Sequence, residues 1–405
     1  MASPETLVVN DYAGHPFQVE LSDELAIQGH RVVHAYCSTN VTPRGNFDGR
    51  SPNLTIETIS TGDEFEKYDV RRRLVAEIRY GLGSVKVLRR HGATVCLNSN
   101  MPIISLFIIT VACRLLRIRP VLWLQDLQAG LIALALGSET HPVVRLMSAI
   151  ERWCVRNASH VVTISAGFED AVEGFGVKRE RLTTIPNWAP LDDVPVLAQD
   201  NPWSREHNLQ TGPPVFLYSG SMGIKHRPSA LVSLAEELAE SQPDAVIVVV
   251  SEGVGTEWLV EQCAKRAINN IRFLPFQPFD RLPEVLASAD VLVTLLEPDA
   301  GEFSVPSKVL TYLCAERPVI GLMPLNNAAS RLIYSEANAG LVADDIDSFV
   351  ENALELLANP GERKEMGNRG RKYAEREFDR VAITQRFADL LNLGPTKVRA
   401  EPLNA

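Results

Sequence analysis

At 405 residues the chain exceeds what one ordinary hydrophobic core organises, which points to two domains. Its 45% hydrophobic and 22% charged residues are those of a soluble globular protein and exclude an extended disordered chain. A net charge of −10 argues against non-specific nucleic-acid binding, so no nucleic-acid partner is expected.

The charge is uneven. Residues 1–193 hold 20 basic and 21 acidic side chains, and the remainder hold 20 and 29. Within the first half, Arg71, Arg72, Arg73, Arg79, Lys86, Arg89 and Arg90 crowd into twenty residues opposed only by Glu77. The six cysteines show no CxxC spacing and sit mostly among apolar residues, as reduced core thiols of a cytosolic protein would. The N-terminus lacks the basic, apolar and small-residue order of a signal peptide. The longest apolar run, Met101 to Cys113, is too short to span a bilayer and reads as a buried helix.

Along the first half, Thr6 to Val9 reads as a buried strand, a tight loop carries Gly14 and His15, and a helix runs through Val19, Leu21, Leu25 and Ile27. Gly29 ends that helix and Arg31 to Cys37 forms the next strand, a Rossmann-like opening without the GxGxxG fingerprint, so NAD is not expected. Gly14 is either a turn glycine or a point where a phosphate or sugar approaches the backbone. His15 is either a structural hydrogen-bonder or an acceptor contact. Leu54 to Ile59 alternates as a strand. A basic helix then spans about 66–91, with Leu74, Ile78, Leu82, Val85 and Leu88 on one face. It packs on the sheet or lies on an anionic membrane. Strands at Thr94 to Leu97 and Arg119 to Leu124 follow, and the second ends in Gln125 and Asp126. Asp126, at the carboxyl end of a parallel strand, is a candidate base or orienting group, or else a helix N-cap. Prolines at 190, 195 and 202 mark residues 187–205 as a linker.

The second half opens with the strand Pro214 to Ser219 and a loop holding Gly220, Ser221, Lys225, His226 and Arg227. Two glycines, a serine and a lysine between strand and helix suit a phosphate, although GxxxxGK[ST] is absent. The strand Ala245 to Ser251, the strand and turn Ile271 to Gln277, and the strand Asp290 to Leu295 follow. A loop with Glu302, Ser304, Val305, Pro306, Ser307 and Lys308 then leads into a helix through Val309, Leu310 and Leu313, and into the strand Val319 to Gly321. A last helix is marked by Phe378, Val381, Phe387 and Leu391. No His/Asp cluster calls for a metal, so none is expected.

The segment from Val305 to Ile320 resembles the donor-nucleotide segment of retaining family-four glycosyltransferases, near the branch that builds bacterial surface polysaccharides, including N-acetylfucosaminyl-type transferases. Gly29-His30-Arg31-Val32 is similar to that family's second strand, and Ile185-Pro186-Asn187 to its segment before the interdomain linker. The resemblance covers roughly residues 6–390. It implies the α/β architecture called GT-B, with two Rossmann-like domains facing a cleft and a C-terminal helix crossing back to the first domain. The expected division is an acceptor domain over 1–190, a nucleotide-sugar domain over 191–375, and a crossover helix and tail over 376–405.

On that resemblance the donor is a nucleoside-diphosphate sugar, UDP-linked, acting as co-substrate with no other cofactor. The donor contacts it implies are Gly14, Gly220, Ser221, Lys225, Leu274, Phe276, Glu302, Ser304, Val305, Pro306, Ser307, Lys308 and Thr311. Leu274 and Phe276 would meet the base, Thr311 the ribose and Glu302 the sugar. Lys225 and Lys308 would neutralise the leaving diphosphate, and His15 and Asp126 would face a lipid-linked or small-molecule acceptor. The family's first glutamate position falls near Phe303, and its histidine slot before Asp126 holds Gln125. The family implies transfer of a hexosyl or N-acetylhexosaminyl group with retention, without a covalent intermediate, by a cytoplasmic enzyme whose 71–90 helix meets the membrane. A sugar-nucleotide epimerase and a non-catalytic nucleotide-sugar-binding partner are the alternatives.

Overall fold

The computed structural model describes residues 5–12, 16–39, 51–62, 70–99, 101–130, 132, 138, 140–210, 212, 214–223, 226–297 and 308–393. The chain forms two compact units, residues 1–187 with 381–405, and residues 188–380.

The first unit is a seven-stranded parallel sheet built from β1 (Thr6–Asp11), β2 (Arg31–Cys37), β3 (Leu54–Ile59), β4 (Val95–Ser99), β5 (Arg119–Leu124), β6 (His160–Thr163) and β7 (Leu182–Thr184). The order is β3-β2-β1-β4-β5-β6-β7. β1 lies between β2 and β4, with Val8 beside Val33 on one side and Cys96 on the other. All six of its residues are buried, as expected for a central strand covered on both faces. The apolar run from residue 101 forms the helix Ile103–Leu116, whose Leu106, Ile109 and Cys113 are buried.

The basic helix is observed over Val70–Arg90, and it corrects the sequence reading of its faces. Leu74, Val75, Ile78 and Leu82 are exposed, while Ala76, Glu77, Tyr80, Ser84, Val87 and Leu88 turn inward. Small residues and a tyrosine win the inner face because the helix runs close to its neighbours. A Cβ on Gly81 would stand 3.2 Å from the backbone of Ser105 in the Ile103–Leu116 helix. Tyr80 Oη donates to the Ala35 carbonyl on β2 at 3.0 Å.

The C-terminal helix Arg380–Leu390 packs into this first unit, as the crossover expectation required. Phe387 lies 4.7 Å, ring to ring, from the fully buried Trp123 of β5. Arg386 donates to the Thr184 carbonyl at 2.7 Å, and Arg119 donates to the Leu391 carbonyl.

The second unit is a six-stranded parallel sheet of β8 (Val215–Ser219), β9 (Val246–Val250), β10 (Ile271–Leu274), β11 (Val291–Leu295), β12 (Val319–Leu322) and β13 (Gly340–Ala343). Its order is β10-β9-β8-β11-β12-β13. The stretch read as a linker is packed rather than free. Trp188, Ala189, Val194 and Trp203 are buried, and Asn201 with Ser204 closes a reciprocal cap on the helix Pro202–Glu206. Prolines signalled an irregular path there, but the tryptophans on either side of them carry enough apolar area to anchor it.

The six cysteines are all buried and free. Among the described residues no helix is long and apolar enough to cross a membrane.

Candidate functional site

In the second unit, the carboxyl ends of β8, β9 and β10 lie along one edge of the sheet, and the start of the helix Lys308–Cys314 reaches the end of β8. β8 ends at Ser219, and Gly220 follows with φ of +124°, a conformation that L side chains rarely adopt. A Cβ at Gly220 would stand 3.3 Å from Lys308 Nζ. The glycine thus leaves room for the lysine to reach the end of β8. Lys308 Nζ also lies 3.8 Å above the Tyr218 ring centroid, a cation–π geometry.

The frame around this pair is fastened at several points. Tyr312, one turn along from Lys308, both donates to the Ser219 carbonyl and accepts from the Ser219 amide, each at 2.9 Å. Tyr218 Oη donates to the Ser221 carbonyl at 2.9 Å. Burial pushes both phenols well above the ordinary tyrosine range, so they remain neutral hydrogen-bonders. Gly255 donates to the Met222 carbonyl at 2.9 Å and Met222 to the Glu252 carbonyl at 3.1 Å, which docks the loop after β8 on the turn after β9. Phe276, exposed beyond β10, donates its amide to Glu252 Oε1 at 3.4 Å. Ser251 donates to the Leu274 carbonyl.

Gly220, Ser221, Leu274, Phe276 and Lys308 are therefore drawn to one edge of this sheet. Thr311, half-buried, shares the helix face of Lys308 three residues on. His226 Nδ1 accepts the Gly223 amide at 2.8 Å and closes the loop. Arg227 points elsewhere, donating to the Asp344 carbonyl at 3.2 Å beside a cavity of about 440 Å³. Gly14, His15, Lys225, Glu302, Ser304, Val305, Pro306 and Ser307 lie outside the described residues.

The carboxyl edge of the first sheet has a different chemistry. Asn10 donates to Asn98 Oδ1 at 3.1 Å and Gln18 to Ser99 Oγ at 2.8 Å. Gln125 and Asn187 exchange amide hydrogen bonds of 3.1 and 2.9 Å, joining the end of β5 to the chain beyond β7. Asp126 is exposed beside them. The buried carboxylate of Glu151 accepts the Gln128 and Ala129 amides just beyond Asp126 at 2.8 and 3.2 Å, and desolvation holds its pKa above the ordinary value. Asp11, at the end of β1, is fully buried. Among the described residues no three His, Cys, Asp or Glu side chains gather as a metal site.

Two family matches fall on the two units. Residues 15–188 match the glycosyl transferase 4-like domain, and residues 199–373 match the glycosyl transferases group 1 family. The chain belongs to the family-four glycosyltransferases.

Among relatives of this family-four chain is the putative colanic acid biosynthesis glycosyl transferase WcaI of Escherichia coli, 24% identical over 280 residues, which are 66% of each chain. The chain spans that 66% of WcaI and less than half the length of the mycobacterial glycogen synthase and corynebacterial mannosyltransferase it also matches. Its fold matches sucrose-phosphate synthase of Thermosynechococcus elongatus with a TM-score of 0.73 at 15% identity, covering 96% of this chain and 98% of that one. It also matches HepE of Anabaena in complex with UDP-glucose, with a TM-score of 0.69 at 15% identity, covering 96% and 99%. Both solved structures support the GT-B architecture.

Sequence reasoning missed Tyr218 and Tyr312, which frame Lys308, Glu252, which holds the loop after β8 and the Phe276 amide, and Glu151, which holds the segment beyond Asp126. Each reads as an ordinary core or helix residue. The one available signal was Tyr312, an aromatic with a hydroxyl one turn after a lysine that already stood out.

Proposed function

We propose that this chain moves a hexosyl or N-acetylhexosaminyl group from a UDP-linked sugar to a lipid-linked or small-molecule acceptor, in surface-polysaccharide or glycolipid assembly, with retention of configuration. The observation that carries the reading is Lys308, its ammonium held against Gly220 and over Tyr218 at the carboxyl end of β8. When the bond between anomeric carbon and diphosphate oxygen breaks, negative charge develops on the leaving group. A fixed cation in a partly desolvated site stabilises that charge without reorganising. Backbone groups of Gly220 and Ser221 lie beside it, and Leu274 and Phe276, at and beyond the end of β10 two strands away, serve as base contacts.

For retention, the acceptor hydroxyl attacks the face the diphosphate leaves, and its proton passes to the departing phosphate oxygen. No side-chain nucleophile is required. Asp126, exposed at the end of β5, orients the acceptor. Similar proteins agree in direction: WcaI is a putative colanic acid biosynthesis glycosyl transferase, and WaaG, a structural neighbour, is involved in lipopolysaccharide biosynthesis.

The test is thermal stabilisation by UDP, GDP, ADP and their sugar conjugates. A saturating ligand at a hundredfold excess over Kd adds about 2.7 kcal/mol of stability. A shift selective for UDP, and larger with one sugar attached, supports the reading. No shift with any nucleotide overturns it.

A second proposal concerns the basic helix Val70–Arg90. Its exposed Leu74, Ile78 and Leu82 repeat at intervals of four and are interleaved with Arg72, Arg73, Arg79 and Lys86. Such a surface suits the interface of an anionic bilayer. Replacing Ile78 and Leu82 with Glu should abolish co-sedimentation with phosphatidylglycerol vesicles; unchanged co-sedimentation removes the idea.

A further inference from the structure

At the opposite edge of the first sheet, where β5 and β6 begin, five arginines line one open cavity of about 400 Å³. They are Arg114, Arg117, Arg119, Arg156 and Arg181, joined by Asn157. Arg114 and Arg117 stand at the C-terminal end of the helix Ile103–Leu116, and Arg156 at that of Pro142–Asn157.

Cations are ordinary at helix C-termini, where they meet the negative end of the helix dipole. Two helix ends offer roughly one negative charge together, about half a charge each. Five guanidinium groups exceed this by about four charges. Some of their donors are used internally: Arg181 to the Arg156 and Ala158 carbonyls at 3.3 and 3.1 Å, Arg119 to Leu391, and Arg114 to Asn157. None of these partners is a carboxylate, and among the described residues none of the five arginines is in an ion pair. The neighbouring His160 is itself held below its ordinary pKa, by burial first and then by the positive charge of Arg181 and Arg119. Uncompensated positive charge of this density, on a chain of net charge −10, is a site for an anion.

We propose that this cavity binds a phosphate-bearing anion, at a site separate from the donor edge. Guanidinium forks bind phosphate oxygens in bidentate fashion. Arg156 and Asn157 also line a second cavity of about 820 Å³ along the helix Pro142–Asn157, with Arg145, Arg152 and Trp153. Trp153 packs against Phe107 with ring centroids 5.2 Å apart, and Leu146 on the same helix is exposed. The anion is therefore either a free phosphate compound or the headgroup of an anionic lipid whose chains meet that apolar margin.

The experiment uses the full chain and the double variant R117A/R156A, with inorganic pyrophosphate and with phosphatidylglycerol vesicles as probes. Because pyrophosphate can also occupy the donor edge, the quantity read is the difference between the two proteins. In anion-free buffer the variant should melt no lower than wild type, since removing two like charges relieves repulsion. A pure helix-capping role predicts a clear fall. The variant should lose at least tenfold in pyrophosphate affinity at this site, leaving only the protection that nucleotide competes away. If it also loses vesicle binding, the source is a lipid headgroup; if vesicle binding is unchanged, it is a free anion. Equal pyrophosphate protection in both proteins, or a lower melting temperature with no change in anion binding, overturns the proposal.

Discussion

The two sheets share parallel order and hydrophobic make-up, yet their carboxyl edges carry opposite chemistry. The second unit presents a cation, Lys308, beside a glycine and over an aromatic ring. The first presents amides and carboxylates: the Asn10–Asn98 and Gln125–Asn187 pairs, with Asp11 and Asp126. A fixed cation suits a diphosphate. Neutral amides, which both donate and accept, suit hydroxyl groups. One architecture thus carries a charged edge, which suits the proposed donor, and an uncharged or acidic edge, which suits the proposed acceptor, and the difference lies in a handful of side chains at strand ends.

The sharpest way to break that comparison is Lys308→Ala. Loss of a preorganised charge-stabilising group lowers turnover about 100- to 1,000-fold, read as kcat/KM with the nucleotide sugar, and donor binding should weaken with it. Unaltered turnover would mean the second edge is not the charged one in function. Asp126→Asn should act on the other side only. Transfer should fall about a hundredfold, near the lower range for acid–base or orienting groups, while calorimetry shows donor affinity unchanged. A change in donor affinity would dissolve the division of labour.

Stability sharpens the contrast further. Burial lowers the His34 pKa to about 3, and its Nδ1 is hydrogen-bonded to Ser22 Oγ at 2.9 Å. The unfolded chain takes up a proton on this imidazole near pH 6.5 and the folded chain does not. Stability from neutral His34 is therefore complete above about pH 6.5 and is lost as pH falls toward 3. The loss should reach about 2 kcal/mol by pH 5 at full slope. The buried Glu77 and Glu151, pushed upward by desolvation, act in the opposite sense, so the measurement compares wild type with His34→Asn. Denaturant melts at pH 7 and 5 should show a smaller acid loss in the variant. Equal loss would put the acid sensitivity elsewhere.

The smallest effect concerns Gly220. An alanine there meets both its positive φ and the Lys308 ammonium, costing about 1 kcal/mol of stability. Donor affinity should drop by about tenfold, with melting at pH 7 as the parallel reading. A variant with wild-type affinity would show that Lys308 does not depend on the space the glycine leaves.

Sequence by itself determined a good deal. Short, largely β-branched apolar runs such as Leu7 to Val9 and Val246 to Val250 pointed to buried parallel strands, and the resemblance around Lys308 pointed to the segment that the fold places at the strand ends. Wording near Ile185-Pro186-Asn187 marked the end of the first unit within a few residues. These features are local, or repeat with a period that a linear reading detects.

What only the tertiary structure decided was which residues meet across long separations. Tyr312 and Ser219 are 93 positions apart, and Gln125 and Asn187 are 62 apart. Neither pairing has a local signature. The inward face of Val70–Arg90 was likewise settled by close approach to a second helix rather than by hydrophobicity, so small residues displaced leucines from the interior. The five-arginine cavity gathers residues from two helix ends and three strand starts, which lie together only once the parallel sheet has formed. Periodicity reports what one segment prefers; a site is made where several segments are forced to end at one place.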